Sequence, residues 1–355
     1  MIDNWKEVEI FNEVSGIDEV EDICNDDLKM EETSSEKYLG DILSVDGKNI
    51  NNIKARVAKA TGIISRILSI LDGIPFGQYY FEVAIILRNT LLLSSILCNS
   101  ESWYNVTQAE LNLLESADLQ FFRSILKVPK STPKEMFYLE FGCTPLRYIV
   151  KKRRLLFLHY ILNQDPDSMI YRFLMTQMKS RKKQDWSTQV LKDLEDLKMK
   201  DDLQQIKQTK KLTFKNMIEK AITETVFQEL QKQKVNHSKV KDKKHQIFQM
   251  QKYLKACNVK ITKEEAQEIF KLRSRVTDVK CNFKGKFDNL ECDGCKMEDE
   301  SQQHIILYCK ILSEKHEGDM KYEDIFDGNV RKKVEIAKQF ISSLKNREKI
   351  RAKKE

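Results

Sequence analysis

With 355 residues, 41% of them hydrophobic and 32% charged, the chain is long enough for two or three domains and wet enough on its surface to stay soluble. Only five prolines and eleven glycines interrupt it, which favours long helices over sandwiches or barrels. The net charge of +7 conceals an asymmetry: residues 1–36 balance at −11 and the remainder at +18. Such a body attracts polyanions, nucleic acid first among them, unless its lysine-rich faces serve only to keep helices soluble.

The acidic leader, 1–36, has weak periodicity, although Trp5, Ile10, Phe11 and Ile17 offer anchors. It reads as an inert, partly mobile tail or, folded onto the basic body, as a competitor of nucleic acid. After it, the segment 37–48 alternates, with Tyr38, Gly40, Ile42 and Ser44 set against Leu39, Asp41 and Leu43, and ends in Asp46-Gly47. This pattern predicts a short hairpin or strand pair turning at that dipeptide.

The period then becomes helical. Ile53, Val57, Ala60, Ile64, Ile67 and Leu71 recur every three or four residues until Gly73 and Pro75 stop them. A second helix, near 78–97, is apolar almost all round, so Arg88 within it needs a carboxylate partner. Because Arg88 and Asn89 break its most apolar stretch, it does not read as a membrane span. Nor does the N-terminus have a signal-peptide pattern, and an intracellular location, nuclear or cytoplasmic, is expected. Thr107 followed by Glu110 forms a capping box that opens a third helix carrying Leu111, Leu114, Ala117, Phe121 and Ile125.

Pro129, Pro133, Pro145 and Pro166 each stand near a helix start. The helix after Pro145 is the most unusual, with Arg147, Lys151, Lys152, Arg153 and Arg154 followed by Leu155, Leu156, Phe157 and Leu158. His159, set among apolar residues, is expected to be a satisfied core histidine. Helices are predicted at 168–178, 186–197 and 212–231. From 232 to 260 lysine dominates, with Asp242 alone among acidic residues, which reads as a linker or as an arm laid along phosphates. A last amphipathic helix is predicted at 330–346, with a basic tail beyond it.

The chemistry is concentrated in Cys292, Cys295, His304 and Cys309, a Cys-x2-Cys-x8-His-x4-Cys array. Two thiols on a tight turn and a His/Cys pair about one helical turn apart suit tetrahedral Zn2+. Four protein ligands leave no position for water, so the ion would be structural. The plainer alternative, scattered thiols of an intracellular chain, has to account for both halves of a zinc spacing arising by accident.

The blocks Glu36-Lys-Tyr-Leu-Gly-Asp-Ile-Leu-Ser-Val-Asp-Gly-Lys48, Phe76-Gly-Gln-Tyr-Tyr-Phe-Glu82, Asn99-Ser-Glu-Ser-Trp-Tyr104, Leu139-Glu-Phe-Gly-Cys-Thr-Pro-Leu146 and Arg153-Arg-Leu-Leu-Phe-Leu-His-Tyr-Ile-Leu162 precede this array. In that order they resemble the region downstream of the palm in non-LTR (LINE-type) retrotransposon reverse transcriptases, over roughly residues 28 to 350. The resemblance implies a mainly α fold. A short hairpin and thumb-like helical bundle would occupy 37–128, a helical linker domain 129–231, a basic linker with helices 232–275, a CCHC zinc knuckle 276–315, and a C-terminal helix with a basic tail 316–355. It also implies that the hairpin grips a primer end, that the thumb holds a template-primer duplex by its backbone, and that the knuckle binds template RNA or target DNA.

Reverse transcription needs palm carboxylates holding two divalent metals. In the family these lie upstream of the hairpin, and this chain is expected to start too late to contain them. Cys24-Asn-Asp-Asp-Leu28 mimics the aromatic-x-Asp-Asp motif without its aromatic residue and lies too close to Lys37. The chain is therefore expected to resemble an RNA-directed DNA polymerase without acting as one alone. No phosphate loop, serine nucleophile or endonuclease pattern is present. The expected partner is RNA or an RNA-DNA duplex, and the candidate contacts are Lys37, Tyr38, Lys54, Arg56, Lys59, Arg147, Lys151, Lys152, Arg153, Arg154, Lys241, Lys243 and Lys244. Two alternatives are a non-catalytic piece of an active polymerase whose palm is a separate chain, and a zinc-stabilised protein-interaction module. The sequence leaves the oligomeric state open.

Overall fold

The computed structural model describes residues 33–38, 40–77, 79–180, 182, 185–200, 202–236, 249–255, 260–313 and 320–352. Most of the acidic leader, together with Lys241, Lys243 and Lys244, lies outside them. As expected, the fold is mainly helical with one short antiparallel hairpin near the N-terminus.

The hairpin pairs β1 (Ser35–Tyr38) with β2 (Asp41–Ser44) in the register Tyr38↔Asp41. The chain reverses through Gly40, at φ +91°, and not at Asp46-Gly47 as the alternation suggested. A two-residue hairpin connection needs a positive φ that glycine adopts without steric cost. Asp46 and Gly47 instead lead the chain away from β2, with the Gly47 N–H donating to the Ser44 carbonyl at 2.9 Å. This register also sets Tyr38 on the same face as Asp41 and Leu43, which the alternation had placed on opposite sides.

Helix α1 (Ile50–Asp72) buries Ile53, Ala60, Ile64, Ile67 and Leu71 of the stripe that its spacing predicted, with Val57 only partly buried. Burying each large aliphatic side chain contributes about 1.5–3 kcal/mol. Helix α2 spans 80–96, with Tyr80–Leu87 α-helical, Arg88–Leu93 a π-helical turn and Ser94–Ile96 α-helical again. Helix α3 (Gln108–Leu126) packs on α1 and begins at the predicted box: the Glu110 N–H donates to the Thr107 hydroxyl and the Thr107 N–H to the Glu110 carboxylate. Arg88 finds its carboxylate on α3, donating from Nε and Nη2 to the two oxygens of Asp118, each at 2.6 Å. Both residues are buried, and the Arg88 guanidinium lies over the Phe122 ring.

After α4 (Lys134–Phe141), helix α5 (Leu146–Leu162) is the hub of the chain. It packs against α3, α6 (Met169–Ser180), α7 (Trp186–Asp196), α8 (Leu203–Gln208) and α9 (Lys211–Asn236). His159 is buried on it, stacked on Phe214, with Nε2 at 2.7 Å from the Thr209 carbonyl, as a core histidine should be.

Within the stretch taken as a basic linker, α10 (Lys263–Ser274) is among the most buried helices. Thr262 and Glu265 form a second capping box, Phe270 stacks on Phe137, and the Gln267 amide donates to the Ile125 carbonyl at 2.8 Å. Arg273 is buried against Glu140 of α4, which also accepts from the Tyr253 hydroxyl. These contacts tie the second half of the chain to the first. Helix α11 (Asp324–Asp327) and the long α12 (Val330–Ala352) complete the packing. Up to Ala352, the predicted basic tail is the last part of α12 itself. Among the described residues no helix is long and apolar enough to cross a membrane.

Candidate metal centre and its surroundings

Cys292 and Cys295 lie on the loop after a 3-10 segment (Lys280–Lys286), and His304 opens a π-helical turn (His304–Tyr308) that ends at Cys309. The structure brings all four together, with their ligand atoms within 4.8 Å of one another. In a tetrahedron with Zn–S bonds of about 2.3 Å, neighbouring sulfurs sit about 3.8 Å apart. The Sγ atoms of Cys292 and Cys309 are 3.7 Å apart, and Cys295 Sγ lies 3.2 Å from His304 Nε2. The donors therefore fit one metal ion, with every coordination position supplied by protein.

The surroundings prepare these ligands. His304 Nδ1 lies 2.8 Å from a Glu298 carboxylate oxygen, an arrangement that keeps the proton on Nδ1 and leaves the Nε2 lone pair facing Cys295. Burial pushes the Cys292 thiol up to about 12, and the adjacent Cys309 adds to that, against the N–H groups of Cys295 and Gly294. At Cys295 burial also acts upward, but the Met297 N–H, the His304 ring and the Glu298 N–H outweigh it and hold the thiol at about 7. A cation among the sulfurs would draw all three toward the thiolate form.

Sequence spacing found the four ligands but not what supports them. Glu298 was missed, as was Asp293, which lies between the first two ligands and pairs with Lys280, Lys296 and Arg351. Burial raises the Asp293 carboxyl, yet hydrogen bonds from those three cations prevail and hold it well below the ordinary carboxylate range. Arg347 is buried against Glu300 and Asp278. No local pattern links Arg347 to residues 47 and 69 positions away, so only folding reveals these partners of Arg347.

The candidate phosphate contacts divide into two groups. Lys37, Tyr38, Lys54 and Lys59 are exposed, on the hairpin and α1. A cluster beneath them joins those two elements: Asp41 accepts from Arg56, Asn52 and Asn99, and the Ile42 N–H faces the Asn52 amide oxygen. Arg56 itself is buried there, donating to Asn52 at 3.0 Å and to the Ser95 carbonyl at 2.9 Å, so its charge is neutralised inside the fold.

The basic run on α5 is similarly engaged. Arg147 pairs with Glu229 at 2.6 Å and approaches Glu115 at 3.4 Å; Lys151 pairs with Asp196 and Lys152 with Glu219. Arg153 donates to the Leu97 carbonyl, and buried Arg154 grips Asp193 at 2.7 and 3.2 Å. A helix surrounded by others meets their carboxylates before it meets solvent. Arg147, Lys151 and Arg154 line a cavity of about 380 Å³ together with Lys192, Asp193, Asp196 and Glu229, so that carboxylates stand among its cations. Lys241, Lys243 and Lys244 lie outside the described residues.

No family model, no curated protein and no solved structure matches the chain.

Proposed function

We propose that this chain is a nucleic-acid-binding segment of the kind found downstream of the palm in non-LTR retrotransposon reverse transcriptases, and that its knuckle holds a structural Zn2+. One observation carries this: the Cys292, Cys295, His304 and Cys309 donors converge with zinc-like spacing, at the end of a hairpin, helical bundle and basic helix arranged in the order of the resembled family. RNA or an RNA-DNA duplex is the ligand. Exposed Lys37, Lys54 and Lys59 meet its phosphates, and Tyr38 offers a ring to a base at its end. Zinc organises the C-terminal part of the scaffold and takes no part in chemistry.

The test has two steps. Purified protein is assayed for metal, with one zinc per chain expected and none in a Cys292→Ser/Cys309→Ser variant. Binding to RNA and to an RNA-DNA hybrid is then measured at low salt, where electrostatic attraction is greatest. Absence of binding there rejects the nucleic-acid assignment. Primer extension with Mg2+ is expected only when a separate palm chain is added; synthesis by the chain alone overturns its assignment as non-catalytic.

A second function, as a protein-interaction module, has its own support. The outer surface of the knuckle carries exposed Asp288, Glu291, Glu298 and Asp299 beside exposed Met297, Tyr308 and Ile311. With exposed Lys286, Lys296 and Lys310 in the same segment, these apolar side chains stand among charges of both signs, as on a protein-binding surface. If nucleic acid fails to bind while the zinc is retained, this function gains.

A further inference from the structure

Helix α12 presents one continuous stripe to the knuckle. Gln339, Ser343, Asn346, Arg347 and Arg351 recur at helical spacing, and each of the four with a longer side chain holds a different part of the metal-binding segment. Gln339 donates to the Ser313 hydroxyl, and Asn346 donates to the Leu312 carbonyl at 3.2 Å. Arg347, only 2% exposed, donates to Glu300 at 2.8 Å and to Asp278 at 2.7 Å. Arg351 reaches Asp293 at 2.7 Å.

One of these acids belongs to the ligand turn and a second is bound to it. Asp293 follows Cys292 directly, and its N–H donates to Glu300 at 3.2 Å. Glu300 is thus shared between the buried guanidinium of Arg347 and the backbone of the Cys292–Cys295 turn. The path from helix to ligand is Arg347 to Glu300 to the Asp293 N–H, with no flexible step between.

We propose that the metal is the latch of the second part of helix α12: ligand turn and helix dock as one unit, so releasing the ion frees 339–352 from the knuckle, while 330–338 stays packed on α10 and α11. The inference rests on the site holding a metal. Four donors crowded within 4.8 Å stay together because the ion bonds to all of them. When it leaves, the turn opens, Asp293 and Glu300 move, Arg351 loses Asp293 and buried Arg347 loses Glu300 and keeps only Asp278, which loosens this part of the helix. Linkage makes the effect reciprocal: weakening the helix contacts loosens the ion.

The experiment uses the full chain loaded with Co2+ or Zn2+. A Co2+ thiolate charge-transfer band reports the metal site by itself. Hydrogen exchange is then followed in α12 and in α1, as an internal reference, before and after chelation. Protection in 339–352 is expected to fall at least tenfold while α1 is unchanged. Arg347→Gln, and the half-exposed and milder Arg351→Gln, are expected to speed metal release to a chelating dye by tenfold or more and by a few-fold respectively. Absence of the Co2+ band removes the metal site and the latch with it. A normal band with 339–352 still protected after chelation, or wild-type release from both variants with helicity intact, overturns the latch alone.

Discussion

Replacing Lys37, Lys54 and Lys59 together by alanine removes three exposed cations from the hairpin and α1 without disturbing a buried contact. Each phosphate neutralised on a single strand contributes about −0.7 to the slope of log K against log salt. The triple variant should therefore flatten the slope by about 2, and weaken binding roughly 20-fold more at 50 mM than at 200 mM salt. Lys151 and Lys152 already pair with Asp196 and Glu219. Replacing both by alanine releases those carboxylates and no phosphate, so the slope should stay within about 0.3 of wild type. Fluorescence anisotropy with a labelled RNA oligonucleotide over that salt range, on zinc-loaded protein, measures both slopes. If the Lys151/Lys152 variant lost a full unit of slope, or the triple variant lost none, the division into free and internally neutralised cations would be wrong. Exposed substitutions of this kind shift stability by no more than about 0.5 kcal/mol, so unfolding does not confound the comparison.

Asp118→Ala leaves the buried Arg88 guanidinium without its bidentate partner and should cost about 3–5 kcal/mol in urea unfolding, whereas Arg88→Met combined with Asp118→Leu should recover most of that. Gly142→Ala should destabilise by about 2 kcal/mol or more, because the residue sits at φ +65° and a Cβ there would lie 2.5 Å from the Gln249 backbone; a thermal melt reads the loss. Burial raises the Asp41 carboxyl, but hydrogen bonds from Asn99, Arg56 and Asn52 outweigh it and leave its pKa lowered. Because the folded value is depressed, this anchor is fully present above the ordinary carboxylate pKa and weakens as pH falls through the lowered value. Hydrogen exchange in 35–44 should accelerate only in that acidic window, and Asp41→Asn should abolish the pH dependence.

Much of the architecture was legible in the chain. The stripe from Ile53 to Leu71, the Thr107/Glu110 box and the stops at Gly73 and Pro75 are local, and local hydrogen bonds and periodicity obey them directly. The candidate metal-binding group is also nearly local: its four donors fall within one short segment, and the structure brings their donor atoms together. Even the need of Arg88 for a carboxylate follows from an apolar helix, although its identity as Asp118 does not. The hairpin shows where such reasoning fails. Alternation along 37–48 marked strands, but two glycines competed for the turn, and the pairing register decided for Gly40.

Amino-acid order by itself determined most of the long helices, their buried faces and the four donors of the candidate metal centre, since each depends on residues a few positions apart. Tertiary structure alone decided which charges remain available to a partner. Arg154 meets Asp193, Arg147 meets Glu229 and Arg347 meets Glu300 only because their helices pack side by side, and a basic run in the sequence looks the same whether or not those carboxylates arrive. Periodicity records which side of a helix leaves water, whereas electrostatic availability depends on what lies across the contact.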